Sequence, residues 1–207
     1  MNLYIVMSHL DDFELSCLGF LFKHKKRYNK IKLIVASKNK YKEKITNENI
    51  LELEKYLNCK IEYIQLGFDS KYLLSNIDKI KNDLYSKHIN WNEKFDILTH
   101  DSKDLHTDHQ SINNIMQGVY KYADRFVTVY SPSSLNFSPN YFVDIPQDFF
   151  DFKKSLIEKY DIKKDDSFSK KGYYFEDHWN MGYFYAMENK IDYKSNFYEV
   201  YLIKKWS

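Results

Sequence analysis

Two short polar clusters hold the residue types that could do chemistry. His9-Leu10-Asp11-Asp12 sets an imidazole and two carboxylates in four consecutive positions. Asp104-Leu105-His106-Thr107-Asp108-His109 sets two imidazoles and two carboxylates in six. Imidazole nitrogen and carboxylate oxygen are good donors to zinc. Taken alone, each cluster also reads as a polar loop. The first suits an Asx-type turn or helix cap, and the second suits the opening of the helix that follows it. If the fold brings them together, His9, Asp12 and His109 supply three ligands and leave a fourth position for water. That is the open arrangement of a catalytic zinc site. Asp11 is then left beside the metal, free to act as a base. His106 is left free to donate a proton or to stabilise negative charge.

The elements that must position these clusters follow from hydrophobic patterning. Leu3 to Met7 is a short continuous apolar run, which suits a strand buried on both faces. Ile31 to Ala36, Ile61 to Leu66, Phe95 to Thr99 and Phe126 to Tyr130 read the same way. Helical stretches fall between them, at Glu14 to Lys25, Thr46 to Leu57, Tyr72 to His88 and Ser111 to Tyr122. This alternation predicts an α/β, Rossmann-like fold: a mostly parallel sheet with helices on both faces. In such sheets ligands bind at the carboxyl ends of the strands, where both polar clusters fall. Beyond Tyr130 the chain is broken by Pro132, Pro139 and Pro146. Phe149 to Tyr160 reads as a helix, Lys163 to Lys171 as a charged loop, and Phe197 to Ile203 as a last strand. No linker or repeat divides the chain, so one domain over 1–207 is expected.

Composition narrows the classes. Of the 207 residues, 43% are hydrophobic and 29% charged, which suits a globular protein with a core of its own. Lys+Arg 31 against Asp+Glu 29 is near balance, and no nucleic-acid partner is called for. The basic run Lys23 to Arg27 reads as a solvated helix end, its charge favourable to the helix dipole. Cys17 and Cys59 make no disulfide framework. No apolar stretch approaches the roughly 20 residues that span a bilayer. A cytoplasmic protein without membrane insertion is the expectation, and oligomeric state is left open.

The motifs also carry a family resemblance. An apolar strand, then His-Pro-Asp-Asp-Glu, then a glycine pair is the amino-terminal signature of the PIG-L/LmbE family of zinc-dependent N-deacetylases. Here it stands as Leu3 to Met7, His9-Leu10-Asp11-Asp12-Phe13 and Leu18-Gly19. The family's second signature, His-x-Asp-His, is complete as His106-Thr107-Asp108-His109 after Asp104. Val143-Asp144-Ile145, a helix with Lys153 and Lys154, and Tyr198-Glu199-Val200 resemble its carboxyl-terminal part. The resemblance implies metal ligands at His9, Asp12 and His109 and a general base at Asp11. It implies oxyanion stabilisation by His106, with Asp108 orienting that histidine and raising its pKa. The implied cofactor is Zn2+, with Fe2+ or another divalent transition ion suiting the same donors. The implied activity is amide hydrolysis of an N-acetylated amino sugar or sugar conjugate, and the basic run Lys23 to Arg27 favours a phosphate-bearing one such as a nucleotide-linked sugar. Departures are Leu10 for proline, Phe13 for glutamate and Leu18 for glycine. The arginine that often opens the family's second helix has no counterpart near Thr46 and Asn47. The alternatives are a glycan- or partner-binding member without turnover, or an amidase of a non-sugar substrate.

Other residues carry weaker expectations. His100 and Asp101 end a strand and read as cleft-wall residues. His178, in Glu176-Asp177-His178-Trp179, reads as a surface or packing residue more readily than a cleft residue. His24 and His88 lie among lysines and read as solvated, while Cys17 reads as a small buried residue.

Overall fold

The five apolar runs become five neighbouring parallel strands. In the computed structural model, which describes residues 1–161, 181–191 and 197–206, these are β1 (Asn2–Met7), β2 (Lys30–Ser37), β3 (Ile61–Phe68), β4 (Phe95–His100) and β5 (Arg125–Val129). Two more strands, β6 (Tyr141–Asp144) and β7 (Tyr198–Trp206), complete a seven-stranded sheet of order β3-β2-β1-β4-β5-β7-β6. The pairs among β1 to β5 are parallel, and β7 runs antiparallel to both β5 and β6. β1 shows why the runs are continuous in sequence. Leu3, Ile5 and Met7 enter one apolar cluster, while Tyr4 and Val6 enter another on the opposite face. A strand covered on both sides needs apolar side chains at every position.

Helices α1 (Asp12–Ser16), α2 (Leu18–His24), α3 (Lys40–Leu57) and α6 (Gln147–Glu158) cover the first face. Helices α4 (Ile77–Asp83) and α5 (Thr107–Gln117) cover the second. From β1 the chain moves outward to β2 and β3, then returns to β4 on the other side of β1. The reversal opens a crevice between the carboxyl ends of β1 and β4. Among the described residues, no helix is long and apolar enough to cross a membrane.

Several boundaries differ from those read in the sequence. The helix expected over Glu14 to Lys25 breaks at Cys17 into α1 and α2. The reason lies in tertiary contacts: Gly19 N–H donates to Glu199 Oε2 at 2.9 Å and Phe20 N–H donates to Tyr201 Oη at 2.7 Å. These groups satisfy the free N–H donors at the start of α2. α3 begins at Lys40, not near Thr46, because Asn39 Oδ1 accepts from the Tyr41 and Lys42 amides at 3.1 Å each. The stretch Tyr72 to His88 is no single helix: 3₁₀ turns precede α4, and a π turn, Leu84–His88, follows it. α5 opens four residues before the expected Ser111, at Thr107. β6 was not expected. The Lys163 to Lys171 loop and His178 lie outside the described residues. His24 and His88 are half-buried rather than solvated. His24 Nε2 lies 2.7 Å from Tyr141 Oη, and burial with nearby Arg125 and Arg27 lowers its pKa to about 4.

Beneath α1, a buried ion pair ties the last strand to the first helices. Lys153 Nζ donates to Glu199 Oε1 at 2.5 Å and to the Leu15 carbonyl at 2.7 Å. Tyr201 donates to Glu199 as well. Gly19 must lack a side chain here, since a Cβ would sit 2.8 Å from both the Glu199 carboxyl carbon and Ile145 Cδ1. We expect Gly19→Ala to destabilise the fold by about 1–3 kcal/mol through overpacking. Lys153→Met leaves a buried carboxylate unpaired and should cost about 3–5 kcal/mol. Urea unfolding of the two variants measures both.

Candidate metal centre

His9 leaves the carboxyl end of β1, and Asp12 opens α1 three residues on. Across the crevice the loop after β4 carries Asp104, and α5 begins with His106 as its cap and His109 in its first turn. The two clusters meet at one oxygen. Asp12 Oδ2 lies 3.3 Å from His9 Nδ1, 3.4 Å from His109 Nε2 and 3.3 Å from His100 Nε2. It also accepts the His9 backbone N–H at 2.8 Å.

His9, Asp12 and His109 each offer a ligand atom, all within 4.8 Å of one another. Two observations fit a cation. Apart from the 3.4 Å approach of Asp12 Oδ2, the buried His109 Nε2 has no hydrogen-bond partner among the described residues. The cluster also draws positive charge to itself. Burial disfavours the Asp12 carboxylate, but the His109 and His9 charges outweigh this and hold its pKa well below the usual carboxylate range. Burial likewise disfavours charged imidazoles, yet Asp12 and Asp108 raise His9 to about 9, and Asp12 and Asp104 raise His109 to about 10.

Further groups hold these side chains in place. Asp104 Oδ2 accepts from His109 Nδ1 at 2.8 Å, which aims Nε2 at Asp12. Asp104 is held in turn by the Ser131 and Ser133 hydroxyls and the His106 amide. His100 stacks on His109 with ring centroids 3.8 Å apart. It is 1% exposed and so lies behind the ligands rather than on the cleft wall. Burial and the His109 charge lower its pKa to about 4. Asp101 is no cleft-wall residue either: its carboxylate accepts from Thr128 Oγ1 at 2.7 Å and pairs with Lys204 at 3.0 Å.

Asp108 does not orient His106 through its carboxylate, contrary to the expectation. Its Oδ2 lies 3.0 Å from His9 Nε2. The Asp108 backbone N–H meets His106 Nδ1 at 3.2 Å instead, because His106 is the helix cap. Nor is the His106 pKa raised: burial first, then the His109 and His9 charges, lower it. The cap bond has a chemical consequence. A lone pair on Nδ1 leaves the proton of neutral imidazole on Nε2, as a donor.

A cleft of about 490 Å³ opens over the cluster, and His9, Asp11, His106 and His109 line it. Leu15, Pro132 and Ile157 give it an apolar wall. Lys42, which the sequence reading passed over, reaches in from the first turn of α3 and pairs with Asp11 Oδ2 at 2.6 Å. A cation does therefore open this helix; the misplaced start of α3 hid it. Phe13, where the resemblance has glutamate, is buried in the core. The carboxylate falls one position later, on Glu14, which accepts from Asn49 Nδ2 at 2.9 Å and Tyr160 Oη at 2.8 Å. Burial pushes the Glu14 pKa up to about 7 against these bonds.

Fold and site thus define an α/β protein with a His/Asp cluster, of a donor set that could hold a cation, at the crevice of a mostly parallel sheet. The family model described as PIG-L, GlcNAc-PI de-N-acetylase, matches residues 4–120, more than half of the chain, and the chain belongs to this family. None of the curated proteins matches the sequence. Solved structures share the fold. The conserved protein TT1542 from Thermus thermophilus is 16% identical with a TM-score of 0.69, over 97% of this chain and 93% of that one. The N,N'-diacetylchitobiose deacetylase from Pyrococcus horikoshii is 14% identical with a TM-score of 0.65, over 98% and 83%. The 4-carboxy-2-hydroxymuconate hydratase from Pseudomonas putida is 14% identical with a TM-score of 0.60, over 98% and 95%. Since deacetylase and hydratase share this fold, the fold by itself does not settle the chemistry.

Two expected outcomes test the centre. Asp104→Asn should weaken Zn2+ binding by roughly 10- to 100-fold, as loss of an orienting partner does, measured by competition with a chromophoric chelator. At pH 7.5 His9 and His109, with pKa values of about 9 and 10, carry protons that a bound cation must displace. Calorimetric titration of Zn2+ in buffers of different ionisation enthalpy should therefore register a net release approaching about two protons, and affinity should rise with pH.

Proposed function

We propose that this chain is a metal-dependent amide hydrolase that removes the acetyl group from an N-acetylated amino sugar or sugar conjugate. The observation that carries the reading is the grouping of the His9, Asp12 and His109 ligand atoms within 4.8 Å, with Asp11 and His106 lining the same cleft. Family membership supports the reaction class, and the neighbour named as a diacetylchitobiose deacetylase supports a sugar substrate.

His9, Asp12 and His109 would hold a divalent ion, with zinc the best match to two nitrogens and one oxygen. A bound ion of this type polarises an amide carbonyl and acidifies water. The remaining steps belong to the chain. Asp11 takes the proton of the attacking water as general base, and Lys42 at 2.6 Å keeps its carboxylate aimed across the cleft. Neutral His106 donates through Nε2 to the oxygen that gains negative charge. The departing nitrogen takes its proton from Asp11 or His106, giving acetate and a free amine. Asp108 is a positioning residue for His9, and Asp104 is one for His109. The apolar wall of Leu15, Pro132 and Ile157 suits the acetyl methyl and a sugar face.

Acetate release from a panel of N-acetylated free and nucleotide-linked sugars tests the proposal. Asp11→Asn should lower turnover by about 10²- to 10⁴-fold with metal content unchanged, the usual contribution of a general base. His109→Ala should lose the metal as well as the activity. Undiminished acetate release after exhaustive chelation would refute the metal's role.

A further inference from the structure

Tyr160, just past the end of α6, lines the cleft without entering the chemistry above. It is 5% exposed, and burial with the nearby Glu14 charge raises its pKa far above the usual phenol value, so it stays a neutral donor. Its hydroxyl meets three segments at one point. Oη lies 2.8 Å from Thr46 Oγ1 in α3, 2.8 Å from Glu14 Oε1 in α1 and 3.3 Å from the Leu10 carbonyl oxygen in the ligand loop. Thr46 Oγ1 lies 2.9 Å from the Lys42 carbonyl and, with its proton turned to Tyr160 Oη, leaves the single phenolic proton for Glu14 Oε1, with the Leu10 carbonyl its longer second acceptor. Asn49 completes the network, donating to Glu14 at 2.9 Å and to the Leu156 carbonyl at 3.1 Å.

These bonds act where the ligand loop is least supported by itself. α1 has five residues, too few to hold an orientation without tertiary ties. Leu10 lacks the fixed backbone angle that a proline would impose, and its side chain is buried at 1% exposure, so its carbonyl needs an internal partner. Ring packing alone would be served equally well by phenylalanine; the hydroxyl accepts from Thr46 and donates to Glu14, with the Leu10 carbonyl at 3.3 Å sharing that proton.

We propose that Tyr160 is a positioning residue for the ligand loop. Its hydroxyl fixes the Leu10 carbonyl and Glu14 against the α3 turn that carries Lys42. It thereby sets both the direction of Asp12 and the approach of Asp11 to Lys42. The carboxyl-terminal end of α6 thus governs a cluster built from the first strand and helix.

Tyr160→Phe keeps the ring and removes the hydroxyl. In chelator-treated protein, amide hydrogen exchange at residues 10–14 and 42–46 should quicken about tenfold while β1 and β4 amides stay unchanged, the size expected for one hydrogen bond. Thr46→Val should reproduce the effect at 42–46. Ile157→Ala removes packing from the same wall but no hydrogen bond, and should lower the melting temperature without the local signature. Cobalt titration then reads the ligands, a step that rests on the metal-centre reading: Tyr160→Phe should bind Co2+ about tenfold more weakly, with an altered d–d band. Unchanged exchange at 10–14, or acceleration spread evenly over the chain, overturns the proposal. Faster loop exchange with unaltered cobalt binding also overturns it. A wild-type protein that retains no Co2+ sinks the metal-centre reading instead, and the exchange data still decide the role of Tyr160.

Discussion

A single carboxylate oxygen, Asp12 Oδ2, faces the imidazoles of His9, His100 and His109 at 3.3 to 3.4 Å in a nearly water-free place. A buried negative charge survives only beside compensating positive charge and hydrogen-bond donors. Protons on His9 and His109 can supply that charge, and so can a divalent cation. These are the same groups in two states of one electrostatic balance, so the pocket holds together before any ion arrives. The parallel sheet makes the meeting unavoidable: β1 and β4 are hydrogen-bonded neighbours, and each delivers its polar residues at the same edge.

Around that oxygen the work is divided by distance. The imidazoles of His9 and His109 are each held from behind by a carboxylate, Asp108 for His9 and Asp104 for His109. His106 is handled differently. As the cap of α5 it spends Nδ1 on a backbone amide, which settles its tautomer without any acidic partner. Asp11, in the same cleft, is paired instead with Lys42 from the first turn of α3 at 2.6 Å. Beyond them, the Lys153–Glu199 pair and Tyr160 anchor α1 from below and from the side.

Much of this was legible in the sequence, and the reasons are physical. The five parallel strands are buried on both faces, which leaves uninterrupted apolar runs such as Leu3 to Met7. His9, Asp11 and Asp12 follow the first such run directly, and His106, Asp108 and His109 follow the fourth after a short loop, so their placement near the sheet edge needed no knowledge of packing. What stayed hidden depends on distant partners. The break at Cys17 requires Glu199 and Tyr201, and the early start of α3 rests on Asn39 and a turn rich in lysine with no apolar stripe. Lys42, Glu14 and Tyr160 acquire their roles only through contacts 31 to 150 positions away in the chain. The partner of Asp108 was misread because helix direction, rather than spacing, decides which imidazole its side chain reaches.

The position of β7 has a consequence for how the molecule comes together. This strand is inserted between β5 and β6, although it follows both in the chain, and it brings the carboxylate that Lys153 and the first turn of α2 require. During vectorial synthesis the flank of β5 stays open and the ammonium under α1 stays unanswered until residues near 200 have emerged. Long-range pairing of this kind slows consolidation and leaves a bare strand edge exposed meanwhile. The His/Asp cluster is spelled out in the first half of the polypeptide, yet the ties that brace its first helices wait on the last strand to be made.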